Sequence, residues 1–192
     1  MLYNLFLNST ARHVLQLLPL ALAAGLLVWV SRRKMGRAQE PKREWLLFFF
    51  TCYITGLLCM VLAPNGLWQS IWYRILTGQP GGQIGPLFSG TFCLEPRLIE
   101  FLTGQRTAGI WTITMYIGNI GLLIPMGFFL PPVFPKRKLW QCLLMGLGLI
   151  FAIELLQPSV GRSFDVDDII CNVLGLVLGL LPAAALRRRK RT

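Results

Sequence analysis

Hydrophobic residues fill long stretches of this chain, and short charged or glycine- and proline-rich segments separate these stretches. Five of them have the length of about 20 residues that a helix needs to cross the hydrocarbon core of a bilayer. We therefore predict an all-α, polytopic membrane protein that forms a single membrane domain over residues 1–192. The predicted transmembrane spans are residues 13–31, 45–63, 111–130, 139–157 and 166–186.

The segment 64–110 is too polar to cross a membrane. Its first part repeats apolar residues at helical spacing and contains two tryptophans, which is typical of a short helix lying in the membrane interface. Glycine and proline then interrupt regular structure over residues 78–86. A second short interfacial helix is predicted from the spacing of Leu94, Leu98, Ile99 and Leu102.

Composition supports a membrane protein, with a mean hydropathy of +0.57 and only 14% charged residues. The net charge of +11 would suggest a nucleic-acid partner in a soluble protein. Here the basic residues stand in short blocks beside the apolar stretches, where they determine membrane orientation. We therefore predict no nucleic-acid partner.

The basic blocks predict the orientation of the spans. Of 19 lysines and arginines, 14 fall in the 32–44 connection, the 131–138 connection and the tail from residue 187. Because such residues favour the cytoplasmic side, we expect a multi-pass protein of the cell membrane with its N-terminus outside and its C-terminus in the cytoplasm. The first span carries its main positive charge after the apolar core, which favours an uncleaved anchor over a secretory signal.

Ionisable and amide side chains gather near the predicted outer ends of the last three spans. Such groups are costly in lipid, so the cluster is a candidate functional site that faces the protein interior and opens outward. The predicted ligand-binding residues are Asn119, Glu154, Gln157, Arg162, Asp165, Asp168 and Asn172.

Spacing places several of these residues on one helical face. Steps of three and four residues lead from Asp165 through Asp168 and Asn172 to Gly175 and Gly179, whereas Asp167 lies off this stripe and is expected to tolerate change. The two glycines predict close packing against another helix. For the aspartates a second interpretation stays open, because Asp165 suits a helix N-cap and acidic residues suit the first turn.

The residue types allow several chemistries. One face of the third span carries three polar residues, Thr112, Tyr116 and Asn119. Glu154 and the aspartates suit acid–base catalysis, and Arg162 suits binding of a phosphate or carboxylate. Carboxylate and amide oxygens also suit a divalent cation. No metal-binding motif, serine triad or P-loop occurs, so we predict neither a cofactor nor a metal site.

The combined pattern resembles the VanZ-like family of bacterial integral membrane proteins. The matching residues are Asn119, Pro125, Gly127, Glu154, Gln157, Gly161, Arg162, Asp165, Asp168, Asn172, Gly175 and Gly179, within residues 110–182. The resemblance implies a role in the cell envelope, since the family's namesake is associated with resistance to teicoplanin, a lipid-bearing glycopeptide antibiotic.

The resemblance and the outward polar site together lead to three functional hypotheses. In the first, the site binds the head group of a membrane lipid, a lipid-linked cell-wall component or a lipoglycopeptide, and lowers sensitivity to that antibiotic. In the second, an intramembrane enzyme modifies a lipid-linked substrate with Glu154, Asp165 and Asp168 as catalytic acids, bases or metal ligands. A transporter is less favoured, because the sequence shows no inverted repeat.

Overall fold

The computed structural model describes residues 12–189, and this part of the chain is almost entirely helical. The first 11 residues, as well as Lys190 and Arg191 of the basic tail, lie outside the described residues. The helices are α1 (Arg12–Lys34), α2 (Pro41–Val61), α3 (Leu67–Thr77), α4 (Arg97–Leu102), α5 (Ile110–Val133), α6 (Leu139–Leu156) and α7 (Val166–Arg189). A 3₁₀ helix (Gln157–Val160) follows α6, and two short strands, β1 (Phe92–Cys93) and β2 (Phe164–Asp165), complete the order.

Five of these helices, α1, α2, α5, α6 and α7, are long and apolar enough to cross a membrane. The predicted all-α class and the five spans are therefore confirmed for the described residues. The boundaries differ where helices continue beyond the apolar core. The helix α1 includes the basic residues up to Lys34, α2 begins at Pro41, and α5 continues through Pro131 and Pro132 to Val133. Proline at a first helical position fits this start, because its missing N–H has no intrahelical partner there.

The described chain forms two compact units. The first runs to Gly90 and includes Leu156–Arg162, and the second consists of Thr91–Leu155 together with the chain from Ser163 onward.

In the first unit, α1 and α2 form an antiparallel pair joined by a short connection. A Cβ atom on Gly25 would lie 2.5 Å from the Sγ atom of Cys52, so glycine allows the close approach of these helices. At the end of the pair, Arg32 forms a 2.9 Å ion pair with Glu44, which is only 4% exposed. One charge of the basic connection is thus neutralised within the protein.

The helix α3 confirms the predicted helix at the start of the long loop. Its two indole N–H groups tie it to the long helices, since Trp68 donates to the carbonyl of Cys59 at 2.8 Å and Trp72 to that of Gln16 at 2.9 Å. None of its side chains is fully buried, and Ile75 is largely exposed, as expected for an interfacial helix.

In the second unit, α5 and α7 run parallel in close contact. A Cβ atom on Gly175 would overlap the carbonyl oxygen of Ile120, and one on Gly179 would overlap that of Ile124. On the facing helix, Gly127 approaches the backbone of Leu176 equally closely. The prediction that Gly175 and Gly179 contact another helix closely is confirmed.

The two ends of the α5–α7 pair differ in chemistry. At the C-terminal end, the Arg187 guanidinium donates to the carbonyls of Pro131, Phe134 and Arg137, and so supplies donors where a helix end lacks them. At the N-terminal end, β1 and β2 form a parallel pair with Cys93 opposite Asp165. This strand pair brings the residues before α4 beside the start of α7.

Candidate functional site

Asp165 ends β2 and directly precedes α7. One of its carboxylate oxygens accepts a 2.9 Å hydrogen bond from the backbone N–H of Asp167, which is the bond expected of a helix N-cap. Burial raises the pKa of the Asp165 carboxyl above its ordinary value, and the nearby charge of Asp167 also raises it, whereas the bond from the Asp167 N–H and the charge of Arg97 lower it. Asp165 therefore retains its proton to a higher pH than an exposed aspartate does.

Asp168 lies one turn further along α7 and faces α5. Its carboxylate accepts a hydrogen bond from the Asn119 side-chain amide. The structure thus brings together two residues of the predicted site, with the Asn119 side chain directed toward α7.

Asp167 has a different environment from the one expected. It is only 3% exposed, and its two carboxylate oxygens accept hydrogen bonds from the backbone N–H of Leu98 at 3.0 Å and from the Tyr116 hydroxyl at 3.2 Å. Asp167 does lie off the stripe, but it links α4, α5 and α7. This environment gives no support to the expectation that Asp167 tolerates change, because removing its charge would weaken two buried hydrogen bonds.

A cleft of about 380 Å³ lies beside these aspartates within the second unit. Its wall combines three carboxylates, two guanidinium groups, a phenol and several apolar side chains. The lining residues are Arg97, Phe101, Arg106, Thr107, Ala108, Trp111, Thr112, Met115, Tyr116, Asp165, Asp167 and Asp168. Of the predicted site residues, Asp165 and Asp168 line this cleft, and Thr112 and Tyr116 line it from the predicted face of the third span.

Glu154 and Asn172 form a second, buried polar group close to the start of α7. The Glu154 carboxylate, only 1% exposed, lies 3.4 Å from the Asn172 amide nitrogen and 3.5 Å from the backbone nitrogen of Asp165. The side-chain oxygen of Asn172 is buried without a hydrogen-bond partner among the described residues. Glu154 supports the backbone at Asp165, and neither Glu154 nor Asn172 lines the cleft.

Gln157 and Arg162 belong to the first unit. There the backbone N–H of Arg162 donates to the Gln157 carbonyl at 3.0 Å, and its guanidinium donates to the carbonyl of Met60 at 3.0 Å, near the end of α2. In this unit Arg162 therefore ties the 157–162 turn to α2. The membership of both residues in one site with the aspartates stays a prediction.

Metal-binding geometry is a separate question for the carboxylates. Within residues 12–189, no group of three or more histidine, cysteine, aspartate and glutamate side chains is placed to hold a metal ion. The divalent-cation alternative therefore gains no support from the arrangement of these groups.

Comparison with known families identifies the chain. The model of the family described as VanZ/LLP1 matches residues 50–187, which is most of the sequence. The chain belongs to the VanZ/LLP1 family. No curated protein and no solved structure shows significant similarity. Together with its five apolar helices, membership in the VanZ/LLP1 family makes the chain a multi-pass membrane protein.

The VanZ/LLP1 match extends beyond the motif recognised in the sequence. It begins within α2, includes the whole polar segment between α2 and α5, and contains every predicted site residue. The cleft residues of α4 and of the following loop, Arg97, Phe101 and Arg106, thus lie within the family region.

Sequence reasoning missed Arg97, Arg106 and Asp167 as cleft residues. Arg97 lies within the second apolar group of the loop and Arg106 follows it, and for both only the orientation bias of basic residues was considered. For Asp167 the missing information was a tertiary contact. Its carboxylate accepts a hydrogen bond from the backbone N–H of Leu98, which is far away in the chain. The available signal was the occurrence of three acidic residues within four positions at a helix start.

Proposed function

We propose that this VanZ/LLP1 protein binds the polar head group of a lipid-anchored molecule in the cleft at the start of α7, and thereby lowers the sensitivity of a bacterial cell to a lipoglycopeptide antibiotic of the teicoplanin type. The observation that supports this function is the cleft itself. It places three carboxylates and two guanidinium groups at the same end of two membrane-length apolar helices. Charged groups at such a position carry a high desolvation cost, which favours a functional role.

The lining matches a head group with several kinds of polar atom. Carboxylates accept hydrogen bonds from amines and hydroxyls, and guanidinium groups donate paired hydrogen bonds to carboxylates or phosphates. Trp111 and Phe101 add apolar surface on which a sugar ring or a hydrocarbon segment can pack. Membrane lipids, lipid-linked cell-wall components and lipoglycopeptides share this plan, since each has a tail in the bilayer and a polar head at its surface.

An outward position of the cleft is part of the proposal. The cleft lies at the N-terminal ends of α5 and α7, whereas Arg187 and the basic 134–138 connection lie at their C-terminal ends. The bias of basic residues toward the cytoplasm then places the cleft on the outer side.

This orientation is testable by cysteine labelling in intact cells. Single cysteines would replace Ser163 or Lys136 in a variant without the five native cysteines, and a membrane-impermeant maleimide would be applied. We expect labelling at position 163 in intact cells, and at position 136 only after permeabilisation, because these exposed positions lie on opposite sides. The reverse pattern would show that the cleft faces the cytoplasm.

The enzyme hypothesis gains less support than the binding hypothesis. One of its three proposed acids or bases, Glu154, does not line the cleft, unlike Asp165 and Asp168, and instead lies beside Asn172 and the backbone of Asp165. Since a general acid or base must come within hydrogen-bond reach of the reacting atom, this position suits support of the site better than proton transfer to a ligand in the cleft.

The function can be tested in a teicoplanin-sensitive bacterium that expresses the chain from a plasmid. We expect the inhibitory concentration of teicoplanin to rise relative to the empty-vector strain, because the protein competes at the outer membrane surface for the antibiotic or its lipid-linked target. A glycopeptide without an acyl chain serves as the matched control and should show a smaller change. Equal teicoplanin sensitivity in both strains, with the protein present in the membrane, would overturn the proposed function.

A further inference from the structure

We propose that Leu87 and Phe88 form a membrane-interface anchor, in which a loop between the spans inserts two apolar side chains among the lipids. The Phe88 side chain is 82% exposed and that of Leu87 is 57% exposed. Exposure of two adjacent large apolar side chains to water is unfavourable. Their exposure in this non-helical loop therefore favours a contact with an apolar surface. The proposal goes beyond head-group binding, since it concerns the first compact unit and not the cleft.

The backbone presents Phe88 in an unusual conformation. Its φ angle is +54°, a left-handed value that costs free energy for a bulky residue and persists only where surrounding contacts hold it. Those contacts are present, because the N–H of Phe88 donates to the Ser159 carbonyl at 3.0 Å and the N–H of Gly90 donates to the Pro158 carbonyl at 3.3 Å. The loop is therefore fixed to the 3₁₀ helix that follows α6.

Two glycines make this attachment close. A Cβ atom on Gly90 would overlap the carbonyl oxygen of Arg162, and one on Gly161, which has a φ of +75°, would overlap the carbonyl oxygen of Pro86. Only glycine fits at both positions without moving the backbone. The segment from Pro86 to Gly90 is thus held on both sides, so the backbone that carries the exposed Phe88 side chain is fixed in place.

The attachment also fixes the position of the loop relative to the end of α2. Ser159 lies within the last turn of the fourth candidate span, Leu139–Val160. On the other side, Gly85 donates to the carbonyl of Asn65 at 2.8 Å, four residues beyond the end of α2. Within the first unit, Leu87 and Phe88 are consequently held close to the end of α2, and a helix that crosses the bilayer ends at the lipid interface.

The charge pattern of the loop favours lipid over a protein partner or open water. No aspartate, glutamate, lysine or arginine occurs between Arg74 and Glu95. An uncharged segment with exposed leucine and phenylalanine suits the interface, where apolar side chains gain from burial and where neighbouring amides remain hydrated. We therefore assign the bilayer as the partner of this surface.

The experiment uses the full-length chain in phosphatidylethanolamine and phosphatidylglycerol vesicles. In a variant without the five native cysteines, nitroxide labels at single cysteines replacing Leu87 or Phe88 would be compared with two controls. One is Gln79 in the polar part of the loop, and the other is Leu27, which is 68% exposed on the candidate span α1. Collision with oxygen, which concentrates in lipid, and with a water-soluble nickel chelate would be measured by power saturation. The label at position 87 serves as a control, because it leaves Phe88 and its left-handed backbone conformation unchanged.

We expect the labels at positions 87 and 88 to show lower nickel accessibility and higher oxygen accessibility than the label at position 79, in the direction of the label at position 27. Nickel accessibility equal to that at position 79 would overturn the proposal and place the loop in water. Low accessibility to both reagents would overturn it as well, because it would show a contact with protein instead of lipid.

Discussion

A leucine at position 179 is expected to prevent stable packing of α5 against α7. The carbonyl oxygen of Ile124 and the backbone of Phe128 occupy the space that any Cβ atom on Gly179 would need. Overpacking a core commonly costs about 1–3 kcal/mol, and the cost should reach or exceed the upper end here because the obstacle is backbone on a rigid helix. Gly175→Leu should act in the same way through the carbonyl of Ile120.

The measurement is the folded yield and the melting temperature of the purified chain in detergent. Gly148→Leu is the matched control, because a Cβ atom at Gly148 on α6 meets no atom within 4 Å. The control should purify like the wild type. Unchanged melting temperatures in both Gly175→Leu and Gly179→Leu would contradict the close packing of these helices.

The second large effect is expected from Asp168→Asn. This change keeps the shape of the side chain and the partner Asn119 but removes a charge from the cleft wall. Because a hydrogen bond to a charged group contributes about 1.5–3 kcal/mol, ligand binding should weaken at least ~10-fold while the fold remains intact. The proposed effect on teicoplanin resistance should then be lost at normal membrane expression.

Two further variants, compared with Asp168→Asn, distinguish a ligand-binding role of the acidic residues from a role as helix caps. Glu154→Gln should also weaken binding, because the buried carboxylate supports the backbone of Asp165. Glu95→Gln is the matched control, because Glu95 is exposed, lies just before α4 and does not line the cleft. If the acidic residues serve only as helix caps, Asp168→Asn should cost at most about 0.5–2 kcal/mol of stability and leave the resistance effect unchanged.

Asp167→Asn is unsuitable as a mild control, although its position off the stripe suggested that use. Its carboxylate holds the Leu98 amide and the Tyr116 hydroxyl, so the substitution should lower stability together with any binding. A loss of function in this variant would not distinguish a damaged fold from a damaged cleft.

The fold could be predicted in large part from the sequence, because membrane spans impose a strong and simple pattern. About 20 apolar residues in succession leave few alternatives to a helix that crosses the bilayer. The helix ends were harder to predict, since helices continue past the apolar core into the interface. The basic residues from Arg32 to Lys34 still belong to α1, and Pro131 and Pro132 still belong to α5.

The candidate site was predictable where one helix carries it. The spacing of Asp168, Gly175 and Gly179 predicted a face toward another helix, and α5 lies on that face. The roles of Asp167 and Arg97 depend on the placement of α4, which is set by the pairing of β1 with β2. Two-residue strands leave almost no pattern in a sequence, so this part of the site required the structure.

The most direct test of the head-group proposal is a binding titration of teicoplanin against the purified chain in lipid nanodiscs. Wild type, Asp168→Asn and Glu95→Gln would be compared at equal folded concentration, with empty nanodiscs to subtract partitioning into lipid. The proposal predicts saturable binding to the wild type and to Glu95→Gln, and binding at least ~10-fold weaker to Asp168→Asn. Equal binding by wild type and Asp168→Asn, or no binding beyond that of empty nanodiscs, would contradict it.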